Sequence, residues 1–261
     1  MGDAVDLDMP KTALVTGGAR RIGRAICDRL AEQGWSLALH YHGSFDDAQQ
    51  ACAEITQSFA VRAEPVGADL SDAAEAQGLV HEATRATGPI GLLVNNAAIF
   101  EGPDWQEMTA AEIDQHMAVN FRAPLLMMQA FAEELGANQA GAIVNLIDQR
   151  VWNLTPYFPA YTASKMALWT ATRQMALALA PRIRVNAVGP GPTLQGARQS
   201  PTDFAAQWRA VPLARRTREG EVADAVSYLA QARAVTGQML ALDGGEHLGW
   251  SQAAHGVHVP E

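Results

Sequence analysis

Short apolar and β-branched runs alternate with helical patterns almost from one end of the chain to the other, and no other feature restricts its fold as severely. The β-type runs are Thr12 to Thr16, Ser36 to Tyr41, Val61 to Val66, Leu92 to Val94, Ala142 to Ile147, Ile183 to Val188 and Met239 to Leu242. Helical patterns fall between them over Arg21 to Gln33, Asp46 to Ser58, Asp72 to Ala86, Ala110 to Leu135, Tyr157 to Leu179 and Glu221 to Gln231. Strands that are apolar throughout, such as Ala13-Leu14-Val15 and Leu92-Leu93-Val94, are covered on both faces, which a parallel sheet in repeated βαβ units provides. Helix punctuation agrees: Ser71 before Asp72 and Glu75, and Thr109 with Glu112 three residues on, read as N-caps, the second with capping-box spacing.

At 261 residues and 48% hydrophobic composition, the chain can bury one sizeable core, so a single domain is expected over residues 1–261, with its core at about 10–248. The stretch from Gly189 to Pro212, with four prolines, is longer than a usual connection and reads as a loop and candidate lid. The end, 249–261, reads as a tail or subunit contact, its His255 and His258 lacking metal-ligand spacing. A net charge of -9 opposes binding to nucleic acid or an anionic membrane surface. Cys27 and Cys52 both fall in helical patterns, so no disulfide framework and no metal site is indicated. The acidic start, with Asp3, Asp6 and Asp8, is unlike a signal peptide, and no apolar run approaches the ~20 residues that span a bilayer. A soluble, cytoplasmic protein is expected.

The first strand runs directly into Thr16-Gly17-Gly18-Ala19-Arg20-Arg21-Ile22-Gly23 and then a helix. A dinucleotide-binding fold needs glycines there, because backbone must approach a pyrophosphate at the helix N-terminus. The fold class expected is therefore α/β, a Rossmann-type doubly wound sheet of seven parallel strands with helices on both faces. Arg20 and Arg21 sit against the positive end of the helix dipole, which costs ~0.3–1 kcal/mol each unless an anion is near; the alternative is a solvated basic face continuing to Arg24. An NAD site usually carries Asp or Glu at the end of the second strand to bond the ribose hydroxyls. Here the sequence is His40-Tyr41-His42-Gly43-Ser44, with no carboxylate before Asp46. Tyr41, His42 and Ser44 can donate to a 2′-phosphate, which favours NADP(H), although His42 reads equally as an ordinary loop histidine.

Tyr161 and Lys165 share one helical face, one turn apart. A free phenol with a pKa near ~10 is a poor proton carrier at neutral pH, and a neighbouring cation favours its ionised form. Such pairs are common on ordinary helices. Position gives this one meaning, because its helix follows the fifth strand, whose C-terminal end carries Asp148, on the edge where doubly wound sheets bind ligands.

Taken together, the turn from Thr16 to Gly23, Asp69-Leu70 after strand three, Asn95-Asn96-Ala97-Ala98 after strand four, Asn120, Tyr161 with Lys165, Pro190-Gly191-Pro192-Thr193 after strand six and Asp243-Gly244-Gly245 resemble the short-chain dehydrogenase/reductases along nearly the whole chain. The resemblance implies that Asp69 and Leu70 contact adenine and that Asn96, Ala97 and Ala98 line the cofactor. It further implies that Asn120 holds a proton-relay water, that Lys165 binds the nicotinamide ribose, that Pro190, Gly191 and Thr193 meet the carboxamide end, and that the enzyme is a homotetramer.

Two departures from the common family pattern, Arg21 in place of a glycine and Asp148 in place of the usual catalytic serine, resemble the pteridine reductase subgroup. His40-Tyr41-His42 with Ser44 also matches that subgroup, as does Phe100, where those enzymes stack a pterin against the nicotinamide. Gly43 departs from it, since an arginine is common there. Trp152, Phe158, Phe204 and Trp208 are spaced so that they could face one crevice, and Phe100 and Phe158 are the substrate candidates among the aromatics. A carboxyl can both anchor a pterin and exchange a proton with Tyr161, and close to the phenol it opposes the effect of Lys165 and keeps the proton in place. The catalytic set expected is Asp148, Tyr161, Lys165 and Asn120. Alternatives remain: Asp148 as a capping or solvated residue in a reductase of another ketone, 3-oxoacyl thioester or imine, or a non-catalytic NADP-binding sensor, which would have no need of Asn120, Tyr161 and Lys165 together.

Overall fold

The computed structural model describes residues 7–102, 105–196 and 199–249; the tail with His255 and His258 lies outside them. Seven strands, β1 (Thr12–Val15), β2 (Ser36–Tyr41), β3 (Ala63–Gly67), β4 (Leu92–Asn95), β5 (Gly141–Leu146), β6 (Ile183–Pro190) and β7 (Met239–Leu242), form one sheet in the order β3-β2-β1-β4-β5-β6-β7. Every pairing is parallel. The third strand begins two residues later than its apolar pattern suggests, and the others agree to within two residues at either end.

Side chains alternate across the sheet, as a period of two requires. Leu14, Ala38, Leu93, Ile143 and Val185 face a core with Leu79, Phe131 and Leu168, contributed by α3 (Ala73–Thr87), α5 (Ala123–Glu134) and α6 (Pro159–Ala178). Ala13, Val15, Leu37, Leu39, Val94 and Val144 face the opposite core with Ile26, Ile55 and Val226, from α1 (Arg21–Glu32), α2 (Phe45–Phe59) and α8 (Glu219–Gln231). Both faces are thus covered, which is why Leu92-Leu93-Val94 shows no polar alternation. The chain leaves β1 toward β2 and β3 and returns on the other side as β4, with Val15 opposite Val94. That reversal parts the loops at the C-terminal ends of β1 and β4 and opens the crevice where such sheets hold ligands.

Several expectations need correction. Asp72, not Ser71, caps α3, its carboxylate accepting the N–H groups of Ala74 at 2.8 Å and Glu75 at 3.0 Å. Thr109 and Glu112 do form the capping box of α4 (Ala110–Met117). The pattern from Ala110 to Leu135 is not one α-helix: a π turn over Ala118–Arg122 separates α4 from α5. Pro124 has no N–H to close the carbonyl of Asn120 four residues back, so the regular ladder is broken there. Helix α6 starts at Pro159 because Phe158 adopts a left-handed conformation with φ 56°; Pro159 then occupies the position proline tolerates best. Gly189 to Pro212 is not a plain loop, since it carries α7 (Pro201–Arg209), with a capping box from Ser200 and Asp203 and Pro201 in the first turn.

Candidate active site

The turn after β1 is built from close backbone approach. Gly17 has φ +62°, and a Cβ on Gly23 would lie 2.0 Å from the Gly17 carbonyl oxygen, so the first turn of α1 rests directly on the turn's backbone. Thr16 Oγ1 accepts the N–H groups of Asn96 and Ala97, both at 2.9 Å, and Asn96 Nδ2 donates to the Thr16 carbonyl at 2.8 Å. These bonds lock together the two loops that flank the crevice. Ala98 follows as an exposed residue.

His40, one polar residue within β2, adds a further tie. Its Nδ1 accepts the Gly17 N–H at 3.1 Å and its Nε2 faces the Ala68 carbonyl at 3.0 Å. The first bond requires a bare Nδ1, so the proton sits on Nε2 and the imidazole is neutral. Burial holds its pKa down to about 4. The unfolded chain binds that proton near the ordinary value of 6.5, so this contribution to stability is complete above pH 6.5 and is lost as the pH falls toward 4. The expected loss is about 3 kcal/mol, measurable by denaturant unfolding from pH 7 to pH 4; His40→Asn should remove most of that acid sensitivity.

At the N-terminus of α1, Arg20 makes no side-chain cap and the first turn carries no acidic residue, which leaves its N–H groups directed outward. Arg20 ion-pairs with Asp47 on α2. Arg21 is exposed with φ 53°, and Ile22 packs against the core. Ser44 occupies the cap position of α2 without bonding it. Tyr41 packs its ring on Phe45 at 5.6 Å, and exposed His42 lies 3.9 Å from Asp69. Asp69 accepts the Ser71 N–H at 2.8 Å, which together with the Ser71 hydroxyl draws its carboxyl below the usual range; Leu70 beside it is buried. Arg20, Arg21, Tyr41, His42, Ser44 and Asp69 therefore cluster around the ends of β1, β2 and β3.

The chemistry-bearing groups meet at the ends of β5 and α6. Tyr161, 7% exposed, donates its phenol proton to Asp148 Oδ2 at 3.0 Å. Asp148 Oδ1 accepts the Arg150 N–H at 2.8 Å and caps the short 3-10 turn Gln149–Val151. Capping and contact with the tyrosine, rival readings in the sequence, are thus served by different oxygens of one carboxyl. Lys165, 2% exposed, donates to the Leu146 carbonyl at 2.7 Å, and its ammonium lies 5.8 Å from the Tyr161 ring centre. Burial lowers its pKa to about 8. Burial, then the Asp148 charge and its hydrogen bond, push the Tyr161 phenol well above its ordinary value, and burial raises Asp148 as well. The set holds a proton on the phenol at neutral pH.

Asn120, in the π turn, spends its amide within the protein: it accepts the Ile99 N–H at 2.9 Å and donates to the Ile99 carbonyl at 3.0 Å and Ser164 Oγ at 3.1 Å. It fastens the segment carrying Phe100. The Phe100 ring lies 4.6 Å from that of Phe158 and 4.5 Å from that of Tyr161. The Arg150 guanidinium lies over both phenylalanines, at 5.8 and 5.6 Å. Sequence reading missed Arg150, although it stands two residues after Asp148 and any turn there would bring it near. Of the other aromatics, Trp152 meets Trp169 edge-on at 6.1 Å and His247 at 5.3 Å, Phe204 is buried on α7, and the Trp208 ring lies 4.9 Å from the Arg209 guanidinium. Pro190 ends β6. A Cβ on Gly191 would sit 2.6 Å from Asp243 Cα, and buried Thr193 donates to the Gly191 carbonyl at 3.0 Å. Arg216, itself exposed, donates to the Thr193 carbonyl at 3.1 Å and steadies this segment.

Comparison with known proteins agrees with this geometry. The family model for short chain dehydrogenase matches residues 11–204. FolM alternative dihydrofolate reductase 1 from Brucella suis, solved in complex with NADP, is 45% identical with a TM-score of 0.89, covering 94% of this chain and 99% of that one. A short-chain dehydrogenase/reductase from Serratia marcescens is 34% identical with a TM-score of 0.83, covering 91% and 98%. The 3-oxoacyl-[acyl-carrier-protein] reductase of Staphylococcus aureus is 32% identical over 251 residues, 93% of this chain and all of that protein. With a matching sheet, turn and tyrosine-lysine helix, the chain belongs to the short-chain dehydrogenase/reductase family of oxidoreductases.

Proposed function

We propose that this chain is an NADPH-dependent reductase of pteridine-type rings, dihydropterin or dihydrofolate-like, with Tyr161 as the proton donor. The observation that carries the reading is the Tyr161 to Asp148 hydrogen bond at 3.0 Å, with the Phe100 ring against the same tyrosine. The cofactor's place fits the residues present: Gly23 has no room for a Cβ, Gly17 adopts φ +62°, and the first turn of α1 is uncapped. Gly17, Arg21, Ile22 and Gly23 would carry the diphosphate, and Arg20, Tyr41, His42 and Ser44 the 2′-phosphate. Asp69 and Leu70 would meet the adenine, Asn96, Ala97 and Ala98 the middle of the molecule, and Pro190, Gly191 and Thr193 the carboxamide. Lys165 has two N–H groups beyond the one given to Leu146 with which to hold the ribose. When bound, NADPH supplies a hydride.

The protein supplies position and a proton. Phe100 and Phe158 offer two aromatic faces, tilted 46° to each other, to a planar ring, with the Arg150 guanidinium over both. Tyr161 gives its proton to the ring nitrogen, and Asp148, hydrogen-bonded to the phenol at 3.0 Å, lies on the path by which a proton from solvent restores it. The carbonyl of Asn120, which Pro124 cannot bond, is the group that would seat a relay water. A homotetramer in the cytoplasm completes the reading. The FolM relatives support the pteridine substrate; the acyl-carrier-protein reductases support a second reading, a 3-oxoacyl thioester, against which stand Asp148 and the paired phenylalanines.

The test is NADPH consumption with dihydrobiopterin, dihydromonapterin, dihydrofolate and an acetoacetyl thioester. Turnover of at least one pteridine with a kcat/KM about tenfold or more above the thioester is expected, with NADPH preferred to NADH. Turnover of the thioester alone would replace the first reading with the second.

A further inference from the structure

Beyond β7 the chain forms a 3-10 turn, Glu246–Leu248, which packs against the turn Gln149–Val151 that Asp148 caps. Asn153 Nδ2 joins the two by donating to the Glu246 carbonyl at 3.0 Å. The Glu246 side chain is turned inward: its Oε2 is buried and has no hydrogen-bond partner among the described residues. Buried carboxylate oxygens are nearly always paired, because water is not available to replace the missing bond.

The neighbouring charged groups are already engaged. Asp243 accepts the N–H groups of Gly245 at 3.0 Å and His247 at 2.7 Å, and its Oδ2 lies 2.7 Å from His247 Nδ1. Asp148 holds Tyr161 and the Arg150 N–H. Arg150 donates to Thr155 Oγ1 at 2.9 Å and covers the phenylalanine rings. Glu246 is left as a carboxyl facing Asp148, Asp243 and Arg150 with binding capacity unspent. Burial first, then the Asp148 charge, raises its pKa to about 7, with Arg150 acting in the opposite direction.

We propose that Glu246 is a second carboxyl of the substrate pocket, accepting hydrogen bonds from an adjacent amino and ring N–H pair on the heterocycle that Tyr161 protonates. The inference rests on the pteridine reading and deepens it. An aminopyrimidine edge presents two parallel N–H donors, which match the two oxygens of one carboxylate. Asp148 already has one oxygen on the Arg150 N–H and the other on the phenol, so the two acids divide the work: Asp148 manages the proton and Glu246 recognises the ring. A thioester ketone has no N–H pair to offer, so Glu246 also selects against it, its buried carboxylate then being left unpaired.

The recognising form of Glu246 is ionised, so substrate affinity falls as the pH drops through about 7. The charged groups acting on it, Asp148, Asp243 and Arg150, are unchanged in Glu246→Gln. The experiment measures binding of dihydrobiopterin to the complex with NADP⁺ from pH 6 to 8, with steady-state kinetics alongside, for the wild type, Glu246→Gln and Glu246→Ala. Glu246→Gln is expected to bind about tenfold or more weakly at pH 8, to lose the pH dependence of affinity, and to raise KM far more than it lowers kcat. NADPH binding should be unaltered in both variants, which separates recognition from misfolding. Equal affinity and an unchanged pH profile in both variants would overturn this proposal alone. A wild-type enzyme that neither binds nor reduces any pteridine would overturn the substrate reading and this inference with it.

Discussion

Replacing Tyr161 with phenylalanine should lower the rate of ring reduction by about 10²–10⁴-fold, the usual range for removing a positioned general acid, while NADPH binding stays within a few-fold of the wild type. The ring is buried and packs edge-on to Phe100 at 4.5 Å, and phenylalanine keeps that contact and nearly all of the volume, so the core should not collapse. The hydroxyl alone is lost, and with it the proton that burial and Asp148 hold on the phenol at neutral pH. Asp148 retains its bond from the Arg150 N–H but loses the one from the phenol, so stability should drop only modestly. Single-turnover kinetics with pre-bound NADPH isolates the chemical step from release. Reduction by Tyr161→Phe within tenfold of the wild type would remove Tyr161 as donor.

The strand and helix alternation could be read from sequence because both cores demand it: each strand is buried on two faces, and each helix needs an apolar stripe toward one of them. The glycine turn was legible for a related reason, since Gly23 stands where no Cβ fits and Gly17 adopts a positive φ of +62°. Less visible were features produced by contacts between distant segments. His40 reads as one polar residue in a strand, and only the register of β1 against β2 brings it to the Gly17 N–H. The neighbours of Trp152, which meets Trp169 and His247, and of Trp208, which lies against the Arg209 guanidinium, are likewise not given by spacing. The π turn at Asn120 and helix α7 had local signals, Pro124 in one case and Ser200-Pro201 with Asp203 in the other, that a periodicity search passes over. Glu246 had none: its significance comes from the packing of two short turns whose residues are far apart in the chain.

Replacing Asp148 with serine tests the substrate reading most directly. In the wild type the carboxyl sits 3.0 Å from the phenol oxygen and helps raise the Tyr161 pKa; its charge also opposes the lowering of Lys165. Serine can still hydrogen-bond the phenol but carries no charge, so both groups should titrate at lower pH than before. Ring reduction needs the phenol protonated, and the alkaline limb of the kcat profile should therefore move to lower pH in Asp148→Ser, as Tyr161 loses the neighbour that kept its proton in place. The pteridine rate should also fall about 10²-fold, because the carboxyl that links the phenol to a fresh proton is gone. A simple ketone or thioester needs only the tyrosine and lysine, so its rate should hold or rise. The combination distinguishes the two substrate readings where either rate alone would not: a protein built for a ketone would show no loss on its true substrate, whereas one built for a nitrogen heterocycle loses both rate and alkaline range together. An unshifted profile with undiminished pteridine turnover would reduce Asp148 to a cap for the turn that follows it.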